Sequence, residues 1–312
     1  MTRAGLPALA RDLALAVWYG GSPPDSFRRT VHWGEEGNEI AREALASGRP
    51  TLIGRLGSSE LACASFCTRW RQSGVLRPPY PKALRHTMRV NTGMFPTDDA
   101  SLDRFSEVLL DAVSKTDVMG VSFNRNEHRI VGRHCPDARL VQIEALNCVL
   151  REDPWSAGLS GRVVLVVHPF AQTIESQYRT RRTLLFENPR MLPEFELKTL
   201  VAVQSGAGSE CGFGAWFDAL EHMCDEIARI EFDVAIIGAG AYGLPLAAAV
   251  KDMGRQAVHL GGATQLLFGI RGRRWDVEYA DVMGPLMNEY WVRPSAEETP
   301  ERSGSVEGGC YW

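Results

Sequence analysis

The chain has 312 residues, of which 45% are hydrophobic, so it can bury a substantial core in one large domain or in two smaller ones. Its 34 basic and 38 acidic side chains give a formal net charge of -4 and are spread along the sequence. A protein that binds nucleic acid concentrates basic residues on one face, so this composition argues against a nucleic-acid partner.

The cysteine pattern and the hydropathy favour a cytoplasmic protein. Seven cysteines form no C-x-x-C pair and have no histidine at zinc-finger spacing, which predicts reduced thiols. No apolar run approaches the length of a membrane span. Residues 6–19 contain Arg11 and Asp12 and lack a small-residue cleavage site, so we expect a short amphipathic helix packed on the domain. The sequence leaves the oligomeric state open, with a homodimer as one alternative.

The first half of the chain alternates predicted strands with predicted helices. Short strands are predicted at residues 27–33, 117–123 and 139–143, and helices at residues 38–47 and 98–114. Residues 69–81 include three prolines and predict a loop that leads to a turn at residues 91–96. That turn is either part of a pocket or only the tip of a loop.

Residues 50–64 predict a strand, a turn and a helix. Gly57 ends the strand, and Ser58 or Ser59 caps the helix, with Glu60 in its first turn. An acidic residue at that position is structurally ordinary. The same arrangement, however, places Arg55, a serine hydroxyl and a carboxylate at the carboxyl end of a strand, where α/β sheets build their active sites.

A second set of polar residues follows the apolar run at residues 161–167, which predicts a strand covered on both faces. His168 ends this run, and Glu175 and Gln177 follow it, so we predict part of a site there. A buried histidine satisfied by the backbone is the alternative interpretation of His168. A further strand is predicted at residues 199–204, and an amphipathic helix at residues 216–230.

Residues 232–262 are the most informative stretch and predict one β-α-β unit. A glycine-rich turn separates the first apolar run from an alanine-rich helix, and it comprises Gly238, Ala239, Gly240, Ala241, Tyr242 and Gly243. The second apolar run ends at His259, Gly261 and Gly262. Such a unit places the free N–H groups and the positive end of a helix beside glycines that a ligand can approach, so we predict a phosphate-binding site.

The spacing of the three glycines satisfies G-x-G-x-x-G between a strand and a helix, which is typical of dinucleotide-binding proteins. The acidic residue that would bind a ribose hydroxyl about 20 residues further on is absent, and His259 stands there. The unit also lies late in the chain. A dinucleotide-dependent oxidoreductase is therefore an alternative only. Another alternative is that these glycines merely allow the strand and the helix to pack closely.

Three segments together resemble bacterial GT-D-fold glycosyltransferase-like proteins, in the poorly characterised branch of that family. The segments are residues 53–60, residues 168–170 with 192–197, and residues 239–246 with 259–262. The resemblance implies a single α/β domain with a Rossmann-like, mostly parallel sheet and helices on both faces. We place this domain at residues 48–293, after an N-terminal helical segment (1–47) and before a C-terminal tail (294–312). The Glu, Pro, Ser and Gly content of the tail predicts disorder, although its aromatic end could dock on the domain.

The resemblance also implies a UDP-sugar donor and a divalent metal, Mn or Mg, held by an Asp-x-Glu motif. The Glu of that motif falls on Glu60, whereas its Asp position is Ser58, and a serine hydroxyl is a weak ligand for these metals. Either Glu60, water and the diphosphate hold the metal, or Arg55 neutralises the leaving group without it.

The expected function is therefore transfer of a sugar from a nucleotide-sugar onto a polysaccharide, peptide or natural-product acceptor. The expected donor-binding residues are Arg55, Gly57, Ser58, Gly238, Gly240, Ala241, Tyr242, Gly243, Gly261 and Gly262. The candidate general bases are Glu60, His168, Glu175 and His259. A non-catalytic nucleotide or sugar-phosphate binding protein is the main alternative.

Overall fold

One sheet of parallel strands organises the chain in a computed structural model that describes residue 21 and residues 23–73 and 78–312. Its eight strands are β1 (Val31–His32), β2 (Thr51–Arg55), β3 (Val118–Val121), β4 (Arg139–Gln142), β5 (Val163–His168), β6 (Glu196–Val201), β7 (Val234–Ile237) and β8 (Gln256–His259). Their spatial order is β1-β4-β3-β2-β8-β7-β5-β6, and every pair is parallel. The predicted α/β fold class with a mostly parallel sheet is confirmed. The helix predicted at residues 6–19 lies outside the described residues.

Helices connect these strands and cover both faces of the sheet. Within the described residues they are α1 (Gly34–Ala46), α2 (Ser58–Ser73), α3 (Lys82–Val90), α4 (Asp99–Ser114), α5 (Glu127–His134), α6 (Ala171–Arg181), α7 (Trp216–Ala228), α8 (Gly243–Asp252), α9 (Thr264–Leu267) and α10 (Ala280–Met283). The remaining connections are turns, short 3-10 segments and a π-helical turn at Arg274–Glu278.

The sheet separates two apolar cores. Along β5, Leu165 and Val167 face one core, whereas Val164 and Val166 face the other, and all four are fully buried. Side chains alternate between the faces of a strand, so burial on both faces produces the continuous apolar run that the sequence shows. The first core contains residues of α2, α4, α7 and α8, and the second contains residues of α1, α6 and α9.

The helices that follow neighbouring strands leave toward opposite faces of the sheet. Helix α8 follows β7 and packs in the first core, whereas α6 follows the adjacent strand β5 and packs in the second. A crevice therefore opens between the carboxyl ends of these two strands, which is where open α/β sheets bind their ligands.

Several elements differ from the sequence-based predictions, among them helices α3, α5 and α6 and strands β1 and β6. Helix α3 was not predicted because it is rich in basic and polar residues and buries only Met88. Helix α6 was interpreted only as a polar segment after a strand. Strand β6 begins three residues before its predicted start, at Glu196, because it lies at the edge of the sheet and alternates charged with apolar residues.

Two valines on adjacent strands test how far burial in the sheet determines stability. Val166 in β5 is fully buried, whereas Val201 in β6 is 58% exposed. We expect Val166→Ala to lower the free energy of unfolding by about 2 kcal/mol, because two methyl groups are lost and a cavity remains. Urea unfolding should show this as a lower midpoint with an unchanged slope. The matched variant Val201→Ala should change the free energy by less than about 0.5 kcal/mol. Equal losses in the two variants would contradict the assignment of β6 to the edge.

Candidate functional site

A cavity of about 230 Å³ lies at the carboxyl ends of β2, β8, β7 and β5. Three segments that are distant in the sequence close it from the other side, and they contribute residues 91–92, 203–207 and 300–312. Because the carboxyl ends of parallel strands meet at one edge of a sheet, residues that follow different strands line the same cavity.

Ten of the fourteen predicted site residues line this cavity. They are Arg55, Gly57, Ser58, Glu60, His168, Gly238, Gly240, Tyr242, Gly261 and Gly262. Ala241, Gly243, Glu175 and His259 do not line it. The early segment with Arg55 and Glu60 and the late glycine-rich turn therefore face one common space.

The three positions of the G-x-G-x-x-G pattern require glycine for different structural reasons. A Cβ atom on Gly238 would lie 2.5 Å from Cδ2 of His168, and one on Gly243 would lie 2.1 Å from Cε1 of His259. These two glycines are explained by close packing. Gly240 instead has φ +51°, and the nearest atom to its Cβ position would be 3.9 Å away. Gly240 is required by the conformation of the turn, so the pattern alone does not indicate a dinucleotide.

Arg55 ends β2 and brings a positive charge into the cavity wall. Its guanidinium lies against Gly261, where a Cβ atom would be 3.1 Å from Nη1. Gly261 also has φ +61°, which favours glycine. The Nε–H of Arg55 is buried and has no hydrogen-bond partner among the described residues. A buried donor without a partner is costly, which suits a cation that receives an anionic ligand.

Glu60 lies in the first turn of α2, and its carboxylate folds back over Gly57. A Cβ atom on Gly57 would lie 2.1 Å from Oε2 of Glu60. Burial raises the pKa of Glu60, while Arg55 and the backbone N–H of Glu60 itself oppose that shift. A nearby carboxylate, Glu307, adds to the upward shift. A carboxylate with a raised pKa is a better proton acceptor at neutral pH than an ordinary one.

The two histidines have fixed tautomers and are kept neutral. The backbone N–H of Phe170 donates to Nδ1 of His168 at 2.9 Å, so neutral His168 carries its proton on Nε2 and can only donate there. His259 has Nδ1 3.2 Å from the carbonyl oxygen of Ile237, to which it donates. Burial lowers the pKa of each ring to about 3, with Arg55 adding to the effect at His259. His168 is therefore placed as a hydrogen-bond donor to the cavity, and His259 as a packing residue behind Gly243.

The polar residues of α6 serve the fold. Glu175 forms an ion pair with Arg179 at 2.6 Å on the outer side of the helix. The amide of Gln177 donates to the carbonyl oxygens of Gly269 at 3.2 Å and Tyr290 at 2.9 Å. The structure does not bring Glu175 to the cavity, because α6 begins at Ala171 and its first turns direct this residue away.

Tyr242 links the glycine-rich turn to two loops that sequence reasoning did not assign to the site. Its ring stacks on Trp216 with the centroids 4.8 Å apart and the planes at 7°. Its hydroxyl lies 2.8 Å from Oγ of Ser205, which itself donates to the carbonyl oxygen of Gly93 at 2.7 Å. The turn predicted at residues 91–96 therefore belongs to the cavity wall, since Asn91 and Thr92 line it.

The C-terminal tail packs against the body, whereas its composition predicts disorder. The backbone N–H groups of Arg273 and Arg274 donate to the carbonyl oxygens of Trp312 at 3.0 Å and Cys310 at 2.9 Å. The Tyr311 ring covers Gly262, where a Cβ atom would lie 2.2 Å from Cε1. Amino-acid composition gives no information on such backbone hydrogen bonds. Only the aromatic residues at the end of the tail indicated that it could dock on the domain.

Arg274 and Glu307 add a second pair of opposite charges to the cavity. They form an ion pair, and the Arg274 guanidinium lies 5.2 Å from the centre of the Tyr311 ring. Glu307 has φ +48°, which is uncommon for a residue other than glycine. The cavity wall thus contains two guanidinium groups and two carboxylates.

The protein donor set does not fit a metal centre that the chain holds by itself. Among the described residues, no group of three or more His, Cys, Asp or Glu side chains is arranged to hold a metal ion. The cavity wall offers the carboxylates of Glu60 and Glu307, and Arg274 already pairs with Glu307. Ser58 supplies only a hydroxyl where the expected motif has an Asp.

Comparisons with known proteins add little. No family model matches this chain, and no curated protein matches it. Among solved structures it is similar to a selenomethionine-substituted structure of domain of unknown function 1792 (DUF1792), with 13% sequence identity and a TM-score of 0.42. The match covers 75% of this chain and 79% of that one. In the described part of the chain, no helix combines the length and the apolar character needed to cross a membrane.

Because the buried histidines are neutral in the folded chain, we expect the protein to lose stability in acid, where the unfolded chain takes up protons on them. The pKa of His259 is about 3 in the folded chain and about 6.5 when unfolded, so its contribution is complete above pH 6.5 and is lost as the pH falls toward 3. At pH 5 the loss is about 2 kcal/mol. The variant His259→Gln keeps a donor to Ile237 but has no imidazole to protonate. Between pH 7.5 and pH 5 we expect its free energy of unfolding to fall by about 2 kcal/mol less than that of the parent.

Urea unfolding at the two pH values measures this difference. Burial raises the pKa of Glu127 to about 7, which acts with the opposite sign, but this contribution is common to both proteins and cancels. The control His86→Gln changes an exposed histidine on α3 and should follow the parent. Parallel pH profiles for the parent and His259→Gln would contradict a buried neutral His259.

Proposed function

We propose that this protein is a glycosyltransferase that moves a sugar from a UDP-sugar onto a hydroxyl of an acceptor. The observation that carries the proposal is the common cavity in which Arg55 and Glu60 face the glycine-rich turn. Each of the three segments that carry the family resemblance contributes residues to this cavity. A polysaccharide, a peptide or a natural product would supply the acceptor hydroxyl.

The donor diphosphate would lie between Arg55 and the turn that precedes α8. The positive end of the α8 dipole lies at this turn, and it attracts phosphate. Arg55 adds a full charge, and its Nε–H lacks a partner among the described residues. Arg274 lies in the same wall but is already paired with Glu307. Arg55 is therefore the first cation that an incoming diphosphate would engage.

In the proposed reaction the acceptor oxygen forms a bond to the anomeric carbon of the sugar. The bond between that carbon and the diphosphate oxygen breaks, and its electron pair leaves with the diphosphate. Glu60 accepts the proton of the acceptor hydroxyl, since it is the one candidate base that both lines the cavity and has a raised pKa. Arg55 and the helix dipole stabilise the charge that develops on the diphosphate.

A metal would supply further charge neutralisation if one were bound, but the residues present do not form its site. We therefore assign that task to Arg55 and the helix dipole and derive no step through a metal. Oxidoreductase activity receives no support from the glycine pattern, because packing explains Gly238 and Gly243.

A non-catalytic nucleotide-binding protein is the second candidate, and one observation favours it. Of the four candidate bases, Glu175 and His259 do not line the cavity, and His168 presents a donor instead of an acceptor. Catalysis thus depends on Glu60 alone, while binding of a nucleotide requires no base.

Replacing Arg55 tests the diphosphate site directly. We expect Arg55→Gln to weaken the binding of UDP by about tenfold to a hundredfold, because a charge-assisted contact to phosphate is lost. Isothermal titration calorimetry in EDTA measures the affinity. The control Arg49→Gln removes an exposed arginine just before the other end of β2 and should leave it unchanged. Equal affinities for the parent and Arg55→Gln would exclude this placement of the diphosphate.

The same titration repeated with Mn²⁺ tests the metal. Our assignment predicts a change in UDP affinity of less than about threefold. A large increase with Mn²⁺ that disappears in Glu60→Gln would show instead that Glu60 holds a metal together with the diphosphate.

Replacing Glu60 separates a transferase from a binding protein. We expect Glu60→Gln to lower the release of UDP from UDP-sugars by at least about a hundredfold, the typical contribution of a general base, while the affinity for UDP changes little. A panel of UDP-, GDP- and dTDP-sugars with released nucleotide as the signal measures this. Glu175→Gln, outside the cavity, should retain the parent rate. A parent that binds UDP but turns over none of these donors would favour the binding protein.

A further inference from the structure

Trp312 presents its ring, and not its polar group, to the cavity. The indole N–H donates to the carbonyl oxygen of Glu298 at 3.2 Å, so this donor is satisfied within the protein. The side chain is half-buried and lines the cavity together with Tyr311. What Trp312 can offer a ligand is therefore an aromatic surface.

Trp312 has no stacked ring partner among the described residues, whereas Trp33 and Trp216 each have one. Trp33 stacks on Phe123 at 5.2 Å and 16°, and Trp216 stacks on Tyr242 at 4.8 Å and 7°. The ring contacts of Trp312 are edge-type, with Phe170 at 6.0 Å and 70° and with Tyr311 at 5.9 Å and 76°. No ring of the described residues lies parallel to it.

The Trp312 ring is held in position by its surroundings. Its carbonyl oxygen accepts from the N–H of Arg273 at 3.0 Å, and the preceding carbonyl, of Tyr311, accepts from the amide of Gln265 at 3.2 Å. Tyr311 itself is occupied, because Gly262 lies against its ring and the Arg274 guanidinium interacts with it. A ring that is fixed before the ligand arrives costs little entropy to use.

We propose that Trp312 is the platform on which the base of the donor nucleotide stacks. This inference rests on the proposed function, since the base must belong to a nucleotide whose diphosphate lies beside Arg55. The preceding residue, Tyr311, interacts with Arg274, so the platform adjoins the cationic part of the cavity.

Three probes separate the base from the rest of the nucleotide: UDP, inorganic pyrophosphate and ribose 5-phosphate. We expect Trp312→Leu to weaken UDP binding by about tenfold, because stacking on an aromatic side chain contributes about 1–3 kcal/mol per base. The affinities for pyrophosphate and ribose 5-phosphate should change by less than about twofold. Trp312→Phe keeps an aromatic face and should retain most of the affinity. Trp33→Leu, which changes a stacked tryptophan outside the cavity, is the matched control and should leave UDP binding unchanged.

Fluorescence supplies a readout that a purely structural role would not change. UDP should quench part of the tryptophan emission of the parent and of Trp33→Phe, and this quenching should be lost in Trp312→Phe. Thermal unfolding of each variant shows whether it is folded.

The outcomes distinguish this inference from the proposed function. If the parent binds neither UDP nor pyrophosphate, both the proposed function and the assignment of Trp312 as a platform are wrong. Pyrophosphate binding that depends on Arg55, without tighter binding of UDP, would keep the anion site and overturn the platform. Equal losses of UDP and ribose 5-phosphate in Trp312→Leu would place the ribose on the ring and overturn the assignment to the base. Equal losses of UDP and pyrophosphate would show that Trp312 only supports the cavity wall.

Discussion

The pairing of β2 with β8 is the constraint on which the rest of the site depends. Thr51, Leu52 and Ile53 pair with Gln256, Ala257 and Val258 in parallel register. This register places the carboxyl ends of an early and a late strand side by side, so Arg55 emerges against the backbone of Gly261. The two β-α units that carry chemistry are distant in sequence, and neither forms a cavity alone. A shift of one residue in this pair would turn the strand residues to the opposite faces and separate the two halves of the site.

The two arginines of the cavity differ in how far a carboxylate already neutralises them. Arg274 is neutralised by Glu307, so an anion must compete with that carboxylate for it. Arg55 interacts electrostatically with Glu60, whose pKa is raised by burial. A bound diphosphate would strengthen this tendency, because a second anion near Glu60 raises its pKa further. In the proposed mechanism, donor binding would therefore favour uptake of a proton by Glu60.

The sequence predicted those parts of the site that local pattern determines. A strand followed by glycines and a helix identified Arg55, Glu60 and the turn at Gly238, because strand ends and helix starts have clear residue signals. Glu175 does not line the cavity, since a helix begins only three residues after His168 and directs the Glu175 side chain away. The roles of Ser205 and Glu307 were missed because each depends on contacts between segments far apart in sequence. No pattern within a single segment reports such contacts.

The C-terminal tail shows why composition is a weak guide when the backbone is satisfied elsewhere. Residues 294–309 contain few apolar side chains, yet Val306 is buried, and backbone N–H groups at residues 273 and 274 pair with carbonyl groups of the tail. Each such bond satisfies a polar group that would otherwise need water, so a segment with little apolar surface can still form a wall. The tail then places Glu307 and Trp312 in the cavity. A polar, glycine-rich segment is well suited to this position, because it follows the curvature of the cavity while its few large side chains line the wall.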